Sequence, residues 1–390
     1  MMKILTIGAS PYLFVRNGRM HADIIESLIA DGHEVSSAVW HHDESYFMPS
    51  EEGIHSYEKY GKAICQLYPF TPKTEEASPF VYELMKVVHP EIVITVGDYK
   101  DTNFIFAIKA MYPTLFKWVA IYTFDCPGIT QSAKEAFEYT DYCISTSPFG
   151  LKELMSFANV EGEYFPYGPD HSKFFATKPI SERDSVLCSS RNAQSSNIPA
   201  FVNAIAKQDV KAVIHTNMYD VGDYNLEAVK ARYGANKVVL PEYYCSIKEG
   251  LTENGMTDLY NNSKIIVDCS IKSATGLSLL EGMACGCIPV GPAYGMIGEI
   301  ISHMPEEFKC AIPYNIFVGQ NEEEFAIISP TNLYSVLSFI LRYDPQTMIR
   351  ASNAAIDVSK KFSNTAFIDN LKRVLERVRS AKQTLVLDSL

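Results

Sequence analysis

The chain has 390 residues, 47% hydrophobic and 21% charged, with a formal net charge of −12. That length suggests two domains of ordinary size, each able to bury its own core, and the composition excludes a disordered or fibrous chain. The acidic balance argues against a general polyanion binder, and no apolar run reaches the roughly 18 residues of a membrane span.

In chain order, Lys3–Ile7 reads as an apolar strand that stops at Gly8. The opening MMKILTIGAS has one Lys and then this run, so it reads as a first core strand rather than a leader. A loop, Ala9–Arg19, carries Arg16, Asn17, Gly18 and Arg19. Apolar residues then recur at helical spacing from Met20 to Ala30, and Gly32 ends that helix. Glu34–Trp40 is a second strand, so the chain opens strand-loop-helix-strand, the unit of a parallel sheet. Residues 41–80, rich in His, Glu, Tyr and Pro, read as an irregular excursion over the sheet edge. Strands follow at Ile92–Val96, Lys117–Tyr122 and Tyr142–Thr146, with helices at Asn103–Met111 and Pro148–Met155.

Around YFPYGPDHSKFF, residues 164–175, a Pro/Gly/Asp-rich crossing interrupts the pattern and marks a linker. A second series then begins with strands at Ser185–Cys188, Val210–His215, Val238–Leu240 and Lys264–Asp268. Helices are expected at Ile198–Lys207, Leu226–Tyr233 and Met256–Asn261, and three more close the chain at Asn332–Tyr343, Gln346–Phe362 and Asn364–Ala381. The expected domains are 1–168, 169–362 and a C-terminal helix, 363–390, that returns toward the first domain. Nine cysteines, an odd number without repeated spacing, fit reduced thiols in a cytoplasmic protein.

The chemistry concentrates in Leu259–Ile300. A strand, a polar loop and a helix opening at Gly276 form a place to hold an anion, because first-turn N–H groups have no helical partner and carry partial positive charge. Thr275, Gly276, Leu277 and Ser278 would supply amides and hydroxyls; an ordinary helix cap is the bland alternative. Glu281 lies on a helix flanked by apolar runs, so it needs a partner, and sugar hydroxyls would serve. Arg191 follows a strand end and can pair with a diphosphate, with Lys272 as a second positive charge. His215 ends another strand. Asp125 ends a strand and can orient a sugar hydroxyl or act as base. In the first domain, Gly8, Arg16, Arg19 and His21 form an acceptor-side loop. Cys285 and Cys287 read as buried small residues rather than metal ligands.

LYNNSKIIVDCS followed by TGLSLLEGMACGCIPV resembles the signature of GT-B glycosyltransferases, in particular family 4, the retaining nucleotide-sugar-dependent enzymes. NGRMHADIIESLIADGHEV, STSPFGLKEL, YFPYGPDHSKF and SSRNAQSSNIPAFVNAI match in order and spacing. The resemblance implies an α/β fold of two Rossmann-like parallel-sheet domains facing an interdomain cleft. It implies a nucleoside diphosphate sugar as co-substrate, UDP- or GDP-linked, held by the C-terminal domain, with no cofactor and no required metal. The acceptor would be a saccharide or glycolipid. Arg191 matches the family's diphosphate Arg and Glu281 its second Glu. The family's Lys falls near Ser195 or Ser196, its first Glu on Ser273, and its His-Asp pair on Phe124-Asp125. Asp125 and Ser273 are therefore the candidate catalytic positions. Two alternatives stay open: a phage-type enzyme glucosylating hydroxymethylated pyrimidines of DNA, and a non-catalytic sugar-nucleotide binder.

Overall fold

The computed structural model describes residues 1–13, 16–40, 54–59, 61–72, 75–128, 134, 136–157, 160–218, 224–242, 250–319 and 323–380. It divides into two compact units, one of Met1–Thr123, Ile129–Phe165 and Ala366–Leu390, the other of Phe124–Gly128 and Pro166–Thr365.

The first unit is built on an eight-stranded sheet: β1 (Lys3–Ala9), β2 (Glu34–Trp40), β3 (His55–Lys59), β4 (Lys62–Pro69), β5 (Ile92–Gly97), β6 (Lys117–Tyr122), β7 (Tyr142–Ser145) and β8 (Gly162–Tyr164). Their spatial order is β3-β4-β2-β1-β5-β6-β7-β8. All neighbours are parallel except β3 and β4. Every residue of β5 is buried and all of β1 but Lys3. That is the reason they read as unbroken apolar runs: helices cover both faces of a parallel sheet. The C-terminal helix, Asn364–Ser380, counts with this unit from Ala366 onward. There Lys372 lies 2.8 Å from Asp31, and Arg373 3.5 Å from Glu163.

Two expectations for this unit need correction. Residues 55–59 and 62–69 are not irregular but form β3 and β4, which extend the sheet, and residues 77–80 open a helix, Ala77–Val88. The charged, half-exposed pattern of β3 is that of an edge strand, where charge guards an unpaired border, and it hides the alternation. Residues 41–53 of the expected excursion lie outside the described residues. The first helix runs Arg16–Ala30, so Arg16–Arg19 are its first turn rather than a loop. Gly18 there is a packing residue: a Cβ would fall 2.8 Å from the Leu13 side chain and from the carbonyl oxygens of Leu13 and Ser10.

The second unit holds a six-stranded parallel sheet: β9 (Ser185–Ser189), β10 (Lys211–His215), β11 (Val238–Val239), β12 (Ser263–Val267), β13 (Ile288–Pro292) and β14 (Ala311–Ile312). Beyond β14 comes an antiparallel hairpin, β15 (Tyr314–Val318) and β16 (Glu324–Ile328), which the sequence pattern did not announce. The sheet order is β11-β10-β9-β12-β13-β14. Numbered from β9, this is 3-2-1-4-5-6, the dinucleotide-fold order. It reverses direction between β9 and β12.

Candidate functional site

In an open parallel sheet, loops from the strands on either side of the reversal leave in opposite directions and open a crevice at the C-terminal strand ends. Here those are the loops after β9 and β12. They are laced together by Ile271 N–H donating to the Ser195 carbonyl at 2.8 Å. The β12 loop is also tied to the 124–128 segment, where Ser273 N–H donates to the Asp125 carbonyl at 2.9 Å. From the hairpin, Ala326 N–H donates to the Ile271 carbonyl at 2.9 Å, and Glu324 N–H to the Pro127 carbonyl at 3.1 Å. The loop that was expected to hold an anion is therefore braced on three sides by backbone bonds.

The helix it feeds runs Leu277–Ala284 and no side chain caps it. Gly276 stands before it at φ 60°, ψ 31°, left-handed geometry that strains any residue with a Cβ. Its N–H donates to Ser273 Oγ at 3.1 Å, so Ser273 shapes the turn without capping the helix. Thr275 is 1% exposed and its Oγ1 has no partner among the described residues. Free first-turn amides beside an unsatisfied buried hydroxyl are what an anion with ester oxygens would satisfy. The Leu277 side chain is buried, so its contribution is its backbone amide.

Glu281 is 2% exposed, and the Tyr260 hydroxyl donates to its Oε2 at 2.8 Å. The buried Glu thus has the partner that the sequence demanded, on the helix Glu253–Asn261, although the sequence did not say which residue. Arg191 stands exposed on the β9 loop. Lys272 is 3.9 Å from Glu323, with its ammonium over the Phe325 ring at 5.4 Å, so its charge is shared. His215 is held neutral, its pKa lowered to about 4 by burial. Asp268, not anticipated, is buried at the end of β12. Burial raises its pKa, while Ser270 N–H donates to it at 2.8 Å. Cys285 and Cys287 are both fully buried, and burial pushes both thiols up.

The acceptor-side residues of the first unit are arranged differently. Gly8 lies inside β1, and a Cβ there would stand 2.7 Å from the His21 Nδ1. His21 is fully buried, with Nδ1 2.8 Å from the Ala9 carbonyl and Nε2 3.3 Å from Ser37 Oγ. Burial lowers its pKa to about 4. This corrects His21 from a loop ligand to a core residue. Arg16 donates from Nε to the Asn17 side chain at 2.9 Å, and Arg19 is half-buried on the same helical turn.

No family model matches this chain, and no curated protein matches it in sequence. Its fold does match solved structures. Sucrose-phosphate synthase from Thermosynechococcus elongatus superposes with a TM-score of 0.75 at 15% identity, over 97% of this chain and 99% of that one. The fold is GT-B. The alpha,alpha-trehalose 6-phosphate synthase of Burkholderia multivorans gives 0.73 at 10% identity, over 97% and 99%. Anabaena HepE, in complex with UDP and glucose, gives 0.67 at 14%, over 97% and 100%. The α/β architecture expected from the sequence resemblance is thus observed. At these identities a GT-B likeness speaks for the backbone alone, and residue roles rest on the geometry above.

Proposed function

We propose that this protein is a glycosyltransferase that moves a sugar from a nucleoside diphosphate sugar to an acceptor hydroxyl. The observation that carries the reading is the uncapped helix behind Gly276 with the unsatisfied Thr275 hydroxyl, at the reversal point of a dinucleotide-ordered sheet. The diphosphate would lie on the amides of Gly276, Leu277 and Ser278, with Arg191 pairing with it from the β9 loop. Those groups would stabilise the charge that grows on the leaving diphosphate, which is electrostatic catalysis by preorganised donors. Glu281 would accept from ribose hydroxyls. Asp125 and Ser273, joined through the backbone, would stand beside the sugar, with Asp125 orienting or deprotonating the acceptor.

A UDP-sugar is the favoured donor, since HepE was seen with UDP and glucose and shares the fold. A saccharide or sugar phosphate acceptor agrees with the products named for the trehalose- and sucrose-phosphate synthases. A DNA acceptor is less well supported: Lys59, one of the cations a DNA-binding face would use, is paired with Glu26.

The test is a thermal-shift screen of nucleoside diphosphate sugars, followed by calorimetry. A true donor at about 100 times its Kd should stabilise the protein by ~2.7 kcal/mol. Arg191→Ala should weaken binding about 10- to 100-fold, the worth of a charge-assisted contact. If no nucleoside diphosphate sugar shifts the wild type, the reading is wrong.

A further inference from the structure

Three adjacent strands of the second sheet, β10, β9 and β12, each lead to a buried side-chain atom without a partner among the described residues. They are Thr216 Oγ1 directly after β10, Asn192 Oδ1 after β9, and Thr275 Oγ1 before the helix that follows β12. Thr216 is 2% exposed and Asn192 5%. Buried polar atoms in folded proteins are nearly always satisfied, so a row of three at one end of one sheet calls for a cause.

The loops that carry them are directly connected. Asn192 N–H donates to Asn217 Oδ1 at 2.8 Å, which sets the β9 loop against the residue after Thr216. Asn192 Nδ2 donates to the Tyr224 carbonyl at 2.9 Å. That bond fixes the amide, so the orphan is the acceptor end, and it asks for an O–H or N–H. Three residues further along the same loop, Ser195 joins the β12 loop at Ile271. Thr216 and Asn192 therefore continue the Thr275 site along the sheet crest.

Neither Thr216 nor Asn192 carries charge. A second anion would leave the Asn192 acceptor still unsatisfied and repelled. A neutral ring bearing hydroxyls satisfies both: one hydroxyl donates to Asn192 Oδ1, and another meets the Thr216 hydroxyl, which donates or accepts. We infer that Asn192 and Thr216 form a sugar-ring subsite next to the diphosphate position. This rests on the sugar-nucleotide reading proposed above. The ring has two possible sources, the ribose or the transferred sugar, and the chemistry is shared.

Thr216→Val tests this with two readouts. Valine keeps the shape and removes an unsatisfied hydroxyl, so the ligand-free Tm should hold or rise; a hydroxyl with a structural partner would give a fall. Binding of UDP-glucose should weaken about 10-fold. Asn192→Ala, which also loses the Tyr224 bond, serves as the second variant and should weaken binding at least as much. Free UDP separates the sources. Equal weakening of UDP and UDP-glucose assigns the subsite to ribose; weakening of UDP-glucose alone assigns it to the transferred sugar. Wild-type binding with both variants unchanged toward both ligands overturns the inference but leaves the donor site standing. A wild type that binds neither ligand overturns the donor reading and the subsite with it.

Discussion

The two sheets share one topology and treat it in opposite ways. From β1, the first unit runs β4-β2-β1-β5-β6-β7, and from β9 the second runs β11-β10-β9-β12-β13-β14, both 3-2-1-4-5-6. At the first crest a side chain of the protein itself, the His21 ring, plugs the space against Gly8. His21 is neutral, so its Nδ1–H donates to the Ala9 carbonyl and its Nε2 accepts from Ser37, whose oxygen accepts in turn from Thr6 at 2.9 Å. That chain of donors is closed, and Gly8 is small because the ring lies against it. At the second crest Thr216, Asn192 and Thr275 keep unsatisfied atoms, and the helix stays uncapped. The first crest is not free of orphans: among the described residues Asn103 Oδ1, in the connection after β5, and Thr123 Oγ1, after β6, also lack a hydrogen-bond partner. Topology supplies a reversal point in both units; what distinguishes the second is the uncapped helix behind Gly276 with the unsatisfied Thr275 hydroxyl beside it.

The largest effect should come from removing the plug. His21→Ala leaves a cavity and strands the Ala9 carbonyl and Ser37, which should cost about 3 kcal/mol in chemical denaturation. Nucleotide affinity should hold, because every proposed donor contact lies in the second unit. A folded His21→Ala protein that no longer binds nucleotide would break the contrast between the crests.

Acid probes the same plug reversibly. The folded pKa of His21 is near 4, below the ordinary 6.5, so the unfolded chain binds its proton more readily. The stability tied to neutral His21 is fully present above pH 6.5 and is lost as pH falls toward 4. The slope is at most ~1.4 kcal/mol per pH unit, or about 2 kcal/mol between pH 6.5 and 5. His21→Gln, which cannot titrate, should flatten this part of the stability profile; an unchanged slope would assign the acid sensitivity to other groups.

Tyr260→Phe decides which kind of site Glu281 belongs to. Losing the hydroxyl that donates to its carboxylate should cost about 1 kcal/mol of stability. If Glu281 also holds ribose, the variant should lower UDP affinity several-fold as the carboxylate loses its fixed orientation. Unchanged affinity would class Glu281 with His21, as a polar group satisfied from within.

How far these contrasts could be read from sequence depends on which residues carry them. The strands β2 and β6 were legible to the residue: β6 is nearly a bare apolar run, and β2, EVSSAVW, follows directly on the helix stop at Gly32. Gly276 was legible as a helix opening, since a polar loop and a long apolar helix flank it. Gly8 looked functional, yet it is small for packing against His21, as Gly18 is against Leu13, partners that only the fold identifies. β3 was hidden by the charges that protect an edge, and β4 by its polar, half-exposed first half. Asn192 and Thr216 could not be singled out, because an orphaned atom is defined by what does not surround it. Glu281 was half legible: burial demanded a partner, but the 21 residues back to Tyr260 are bridged only by folding.

The smallest expected effect concerns Lys272, the second positive charge that the sequence offered to the diphosphate. Its ammonium is 3.9 Å from Glu323 and lies over Phe325, so the hairpin β15–β16 already answers it. Partly exposed pairs of this kind contribute little, and Lys272→Met should change stability by no more than ~0.5 kcal/mol. It keeps an apolar stem against Phe325 while deleting the charge. UDP affinity measured by calorimetry should stay within about twofold at low and high salt, since a charge held by Glu323 has little left for phosphate. A tenfold loss at low salt that fades as salt is added would instead move Lys272 onto the diphosphate. Glu323 would then be the group that releases it, and the second crest would be open at its hairpin side as well.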